Sequence, residues 1–468
     1  MRRYASMVLL LAGGLGLWLA ARQHAPLLQL RRDYHLNWDE PLRNSPPLVS
    51  FTSVALGGFR GIIADVLWLR ATKLQEEKKY FELVQLADWI TKLEPRFALV
   101  WAFHGWNMAY NISVMLDDPA DRWRWVKHGF ELMRDEGLFY NPGDPQLHRE
   151  LGWIFQHKMG GMLDQAHFYY KRAWAAEMAE LFDGPRPDYA FCRANPNDAR
   201  VMRLRDVYKL EPARMEEVDN TYGPLDWRAP EAHAIYWAWR GRPYAKGFDA
   251  VQLDRMIFQS MQDAFWQGRL IIDPVEDVFV PAPNVDILPR VRKAYEDAIA
   301  AHPDEESIKS AHKNLLHDAL LILYLNHYAS TAREVFEEMQ TRYPSAVGGK
   351  GFEKYIYDSF TEQVGNMSQR EALAMIEGLL YQSAFWIALG EPDRSEGMVQ
   401  VARYCWLEYM KTRTEPKLRE RTGLPPLDQI RREALQRAGE TARGVAAKAR
   451  LEAARKQETP VTAVPAPE

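Results

Sequence analysis

The sequence predicts an all-α fold of successive helix pairs, on three observations. Residues 80–93 (YFELVQLADWITKL) place Leu83, Leu86, Ala87, Ile90 and Leu93 mostly at steps of three or four, the spacing of one helix face. Glu94-Pro95 closes that helix, because the residue before a proline is pushed out of the α region. A second helical pattern then opens with Trp101 and Gly105, and the alternation of helical run, turn and helical run returns near Asn141-Pro142 and from Lys313 to Pro344.

Size and composition support a packed interior. The chain has 468 residues, 47% of them hydrophobic and 12% aromatic, enough for two or three domains or one long array. Its 16 Trp exceed ordinary usage. Interface packing between helix pairs is their first use, and a stacking surface for sugars or peptides the second. A net charge of −4 argues against a global nucleic-acid binder, so no nucleic-acid partner is expected. Cys192 and Cys405 stand far apart and form no metal-type spacing.

The N-terminus points to a membrane. Met1-Arg2-Arg3 precedes Tyr4–Ala21, eighteen residues without a charge, at the lower edge of a spanning helix. Cleavage after Ala21 would put Leu19 at −3, and cleavage after Ala20 would put Trp18 there, both poor sites. Residues 1–21 are therefore expected to be an uncleaved signal anchor. Arg2 and Arg3 favour a cytoplasmic N-terminus, against Arg22, Arg31 and Arg32 on the other flank. The expectation is a single pass through the inner (cytoplasmic) membrane, with a periplasmic body if the source is Gram-negative. No other stretch reads as long and apolar enough to span.

Residues 22–54, broken by Pro26, Pro41, Pro46 and Pro47, read as an irregular stalk. Helical periodicity resumes from residue 55 through Ile62, Val66 and Leu69. The block 55–181 holds the first three helix pairs, with a loop at 116–120 and a helix at 123–136 in the second. Residues 182–285 are an irregular helical insert or degenerate repeat. Within it Asp226 is read as a cap, Pro230 and Glu231 as a first helical turn, and FVPAPNVD as extended loop. Residues 286–412 return to helix pairs, the last joined at Gly390-Glu391-Pro392. Residues 413–456 form a basic C-terminal helix: Lys411–Lys456 carries thirteen Lys/Arg against six Asp/Glu. Residues 457–468 read as a disordered tail.

A helix ending Leu93-Glu94-Pro95, a short turn, then Trp101-x-x-x-Gly105 resembles the junction between two tetratricopeptide (TPR) repeats. Leu151-Gly152, the Ala166/Tyr170/Ala173 stripe and the Ala332/Phe336 pair also stand at TPR positions. Departures from the pattern are Ala71 without a tryptophan four positions earlier, Met108 in place of tyrosine and Met339 in place of a small residue. Pro95 to Pro142 also spans 47 residues, against a repeat of about 34. The resemblance implies a TPR-like helix-turn-helix solenoid with irregular insertions. In it Trp101, Gly105, Leu151, Gly152, Ala166, Tyr170, Ala332 and Phe336 pack the repeats, and a large aromatic fills the hole at Gly105. It also implies a concave groove lined by the first helices that binds a protein or peptide partner. Polar and aromatic positions left over on those helices make the groove candidates Trp106, Asn107, Tyr110, His148, Arg149 and Phe155.

No catalytic signature of substance is present: GxSxG, HExxH, GxxxxGK[ST] and CxxC are all missing. His312 and His317, five apart, point in different directions, as do His148 and His157, nine apart. No metal or cofactor is expected. The expectation is a non-catalytic, membrane-anchored scaffold. The alternative is an envelope protein that binds or hydrolyses glycans, with Asp226 and Glu231 as acid and base beside His233. Whether those carboxylates face a cleft or hold a turn decides between the two. The basic C-terminal helix reads as a solvated helix closing the array, a partner-docking helix, or a surface for anionic lipid.

Overall fold

Helix starts follow local capping chemistry. Asp118 Oδ1 accepts from Ala120 N at 2.8 Å ahead of Pro119, and Asp144 Oδ1 accepts from Leu147 N at 2.7 Å ahead of Pro145. In each case a carboxylate meets an orphan N–H while proline supplies a preset φ. Ser368 and Glu371 form a reciprocal capping box, and Gly390, at φ +84°, ends that helix in the left-handed region.

The structure is a computed structural model. It describes residues 59–456 apart from 274–277, 443 and part of 412–420, together with a few isolated positions before residue 30. The expected anchor, stalk and C-terminal tail lie, but for those positions, outside the described residues. The protein is mostly helical, 78% helix and 2% strand.

The chain divides into two compact units, Met1–Pro95 and Arg96–Glu468. In the first, helices α1 (Arg60–Glu76) and α2 (Tyr80–Leu93) pack as an antiparallel pair. Leu83, Leu86, Ala87, Ile90 and Leu93 are buried in α2, as the periodicity predicts. On α1 the expectation is corrected. Ile62, Val66 and Leu69 are exposed, while Ala64, Ala71 and Leu74 on the opposite side are buried. Both faces of α1 carry apolar residues, so its periodicity alone does not choose between them.

In the second unit, α3 (Ala98–Trp106) runs on through a π-helical turn, Asn107–Ile112, and α4 (Pro119–Glu131) through another, Leu132–Gly137. Helix α5 (Pro145–Trp153) does the same through Ile154–Met159. There follow α6 (His167–Ala179), α7 (Tyr189–Ala194), α8 (Ala199–Asp206), α9 (Pro212–Tyr222), α10 (Pro230–Gly241) and α11 (Phe248–Gln267). Next come α12 (Leu288–Ala301), α13 (Glu306–Leu325), α14 (Ala329–Arg342), α15 (Phe352–Thr361), α16 (Gln369–Leu389) and α17 (Pro392–Lys411).

The expected extended loop near 271–285 is instead an antiparallel hairpin. Strand β1 (Arg269–Asp273) pairs with β2 (Val278–Ala282), Ile271 opposite Val280. Pro281 is tolerated because a two-stranded hairpin consists of edges. The basic C-terminal stretch is two helices, α18 (Leu427–Thr441) and α19 (Val445–Lys456), not one.

Side by side, α3 packs on α5, α5 on α11 and α11 on α13. One hydrophobic cluster runs from Trp101 through Leu204, Trp227, Phe265 and Leu323 to Tyr404, so residues 182–285 share the core of their flanks. Helix α16 corrects a further expectation. Its 21 residues, with a window of mean hydropathy 1.4, are long and apolar enough to span a membrane by composition. It packs against α17, α18 and α19, as a core helix does.

Close crossings explain the small residues. A Cβ on Gly105 would come within 2.6 Å of the Gly129 carbonyl oxygen and 2.8 Å of Met133. The hole beside Gly105 is therefore filled by backbone and methionine rather than the expected aromatic. Trp101 instead lies over Gly137, where a Cβ would meet its side chain at 3.2 Å, and stacks on Tyr140 at 5.9 Å. A Cβ on Gly152 would meet Met256 Sδ at 2.6 Å, and one on Gly241 would meet His148 Cβ at 2.6 Å. Gly152 lets α11 lie close on α5, and Gly241 lets α10 do the same. Leu151, Ala166, Tyr170, Ala332 and Phe336 are all buried in the same cluster.

Candidate functional site

Helices α3, α5 and α11 build the surface that carries Trp106 and Arg149. Arg149, Trp153 and Gln156 recur at steps of four and three on α5 and its extension, and Gln252, Met256 and Gln259 do so on α11. Between these two rows lies a cavity of about 410 Å³, lined also by Glu150 and Arg255. A second cavity, of about 260 Å³, lies between α3 and α5, with Leu99, Ala102, Phe103, Trp106 and Leu147 as its apolar walls. Arg149 and Glu150 line both cavities, so the two adjoin across that ion pair.

The six groove candidates separate. Trp106 lines the apolar cavity and Arg149 lines both. Tyr110 is half-buried in an aromatic run. It stacks on Trp106 at 5.1 Å and hydrogen-bonds His157 Nδ1 at 3.2 Å, and His157 stacks on Trp153 at 4.6 Å. Asn107, His148 and Phe155 are buried and correct the expectation. Asn107 Oδ1 accepts from Asn111 Nδ2 at 2.8 Å. Phe155 packs between Phe130 and the His233 ring, at 5.1 and 5.2 Å. His148 Nε2–H donates to the Pro142 carbonyl at 3.1 Å, and burial drives its pKa down to about 4. Asn107 and Phe155 stand at the first two positions of π turns and are buried there.

Beneath this surface lies a buried ionic lock. Lys158 Nζ sits 2.5 Å from Asp164 Oδ2, and Arg122 Nη1 donates to Asp164 Oδ1 at 3.1 Å. Burial lowers the Lys158 pKa despite its carboxylate partner. The lock ties the loop after α5 back to the start of α4, with Lys158 and Arg122 both paired to Asp164.

The Asp226–Glu231–His233 cluster is built as a turn. Asp226 accepts Arg228 Nε and Nη2 at 2.9 and 2.8 Å and the Leu270 amide at 3.0 Å, holding β1 against the α10 entry. Ala229, not Asp226, stands at the N-cap of α10. His233 Nε2–H donates to the Trp227 carbonyl at 2.8 Å, and burial lowers its pKa to about 4. Glu231 is 2% exposed, and burial raises its pKa. Gln267 Nε2 donates to Glu231 Oε1 at 3.2 Å and to the Gly160 carbonyl at 2.9 Å, while Lys171 Nζ donates to Gln267 Oε1 at 3.1 Å. Nearby, burial and the Glu231 charge raise Asp263 to about 7. Neither Asp226 nor Glu231 lines either cavity.

His312 and His317 hydrogen-bond Tyr343 and Tyr355 through Nδ1, at 2.9 and 2.8 Å. Among the described residues no group of three His, Cys, Asp or Glu side chains is placed to hold a metal ion. Residues missed by the sequence reading are Glu150, Trp153, Gln156, Gln252, Arg255 and Gln259. Their signal was the two matched rows at helical spacing, which become a site only when α5 is known to face α11.

No protein-family model matches this chain, and no curated protein matches it at a significant level.

Proposed function

We propose that the protein is a membrane-anchored scaffold of TPR type. In this reading its helix pairs stack as a solenoid outside the cytoplasm, in the periplasm if the source is Gram-negative, and it holds a partner polypeptide without covalent chemistry. The observation that carries the reading is the pair of adjoining cavities along α3, α5 and α11, joined at Arg149 and Glu150. The side-by-side order of α3, α5, α11 and α13 is the order a concave row of first helices would have. The Tyr4–Ala21 run supplies the anchor in this reading. The test is capture of partners from mild-detergent membranes by wild type and by Trp106→Asp and Arg149→Glu. The reading expects a defined protein set that both variants lose.

A glycan-binding role is the second reading, favoured by Trp153 standing beside carboxamides and a guanidinium in the larger cavity. It draws no support from Asp226 and Glu231, which are buried and bonded within the protein. Binding of soluble cell-wall oligosaccharides, in place of any protein partner, would favour it.

A further inference from the structure

We propose that the cavity between the β1–β2 hairpin and helices α16, α18 and α19 binds a fatty acid. The hydrocarbon chain lies against the apolar walls and the carboxylate on the Arg450 guanidinium. The inference does not depend on the scaffold reading and assigns a small-molecule site beyond it.

The cavity holds about 690 Å³, within the range of small-ligand sites. Its walls follow from how these elements meet. Ile271 and Val280 are cross-strand partners in the hairpin, so their side chains lie on one face, and both line the cavity. Phe385 and Leu389, one turn apart on α16, add a second apolar wall. The remaining wall is small: Ala438 and Ala442 at the end of α18, and Ala446 and Ala447 on α19, stop at Cβ and leave the space open. Tyr381 and Leu389 both line it, eight residues apart, so it runs about 12 Å along α16.

Three polar side chains line the cavity, Tyr381, Thr441 and Arg450. Tyr381 and Thr441 satisfy each other, with their hydroxyl oxygens 3.0 Å apart. Arg450 Nη1 donates to the Ala388 carbonyl at 2.9 Å, which holds the guanidinium at the C-terminal end of α16. Among the described residues Arg450 makes no ion pair. A guanidinium carries five N–H donors in a planar fork, so the bond to Ala388 leaves donors for a carboxylate. Apolar walls with a single unpaired cation at one end match an amphiphile with one anionic end. A neutral lipid would leave the cation unanswered, and a small polar anion would leave the walls in water.

The test uses the full-length protein in lipid nanodiscs, free of detergent that would compete for the cavity. A diazirine analogue of palmitate is bound, photolysed and located by mass spectrometry. Labelling should saturate and fall on peptides of the hairpin, α16, α18 or α19. Palmitate should displace the probe about tenfold better than cetyl alcohol, which has the same chain and no charge. Arg450→Gln should weaken palmitate binding about tenfold and erase that preference. Lys448→Gln removes a charge from the same helix outside the cavity lining and should leave binding unchanged. Ala447→Phe should block the cavity, and Ala446→Phe, at an exposed position, covers the case in which Ala447→Phe fails to fold.

Labelling that does not saturate or that maps outside these elements would overturn the inference. So would equal displacement by acid and alcohol, equal weakening by Arg450→Gln and Lys448→Gln, or wild-type binding by folded phenylalanine variants. Partner loss on Trp106→Asp and Arg149→Glu bears on the scaffold reading alone, so the two fail separately.

Discussion

Gly105 and Gly129 stand face to face where α3 crosses α4. A Cβ on either one would lie about as close to the other's carbonyl oxygen, 2.6 Å from the Gly129 oxygen and 2.5 Å from the Gly105 oxygen. The contact is backbone to backbone, so no rotamer change can relieve an added methyl group. Gly129→Ala should therefore destabilise the protein by about 1–3 kcal/mol in urea denaturation. Gly378→Ala is the control: nothing lies within 4 Å of that exposed position inside α16, and alanine there should stabilise by roughly 0.5–1 kcal/mol. Equal effects from the two substitutions would contradict this packing.

Asp226 should behave as a structural anchor. Asp226→Ala leaves Arg228 without its bidentate partner beside the hairpin, and removing one member of a buried pair costs about 3–5 kcal/mol. Asp226→Asn keeps the shape and should cost less. If Asp226→Asn removes a glycan-hydrolysing activity while thermal stability stays at the wild-type value, the anchor role is wrong.

Acid should unfold the protein through its histidines. Burial holds His148, His233 and His312 near a pKa of about 4, whereas an unfolded histidine titrates near 6.5. The unfolded state takes up the protons first, so stability is complete above about 6.5 and falls as the pH drops toward 4. The melting temperature should fall by on the order of 5–10 °C across that window. His312→Asn should flatten the slope. A melting temperature that rises steadily from pH 7 to 4.5 would contradict the buried neutral state.

Asp263 acts with the opposite sign. Its carboxyl is raised to about 7 by burial and then by Glu231, so the folded state holds this proton more tightly than the unfolded state does. That contribution is fully present below the ordinary value of 3.8 and is lost as the pH rises through about 7. Asp263→Asn should therefore raise the melting temperature at pH 8 by a few degrees and change it little at pH 5. The same gain at both pH values would show that Asp263 is not protonated in the fold.

Local signals in the sequence located most helices. Asp144-Pro145, Ser368 with Glu371, and Gly390 each act through neighbours within one turn, and the chain bends where they stand. Residues whose role depends on distant partners were harder to read. The hairpin needs Leu270 bound by Asp226, forty-four residues earlier, and no periodicity marks that bond. Asn107 and Phe155 are buried where π turns begin, and the position of those turns follows from tertiary packing rather than from a recognisable local pattern. Of the groove residues, Trp106 and Arg149 were visible on α-helical spacing, whereas Gln252 and Gln259 acquire meaning only once α11 lies beside α5.

The most direct measurement is partner capture by three versions of the full-length protein from mild-detergent membranes: wild type, Trp106→Asp/Arg149→Glu, and Lys293→Ala as a surface control on α12. Circular dichroism and melting curves should show all three folded. The scaffold account predicts one protein set that wild type and Lys293→Ala retain and the double variant loses. Retention of the same set by the folded double variant would contradict it.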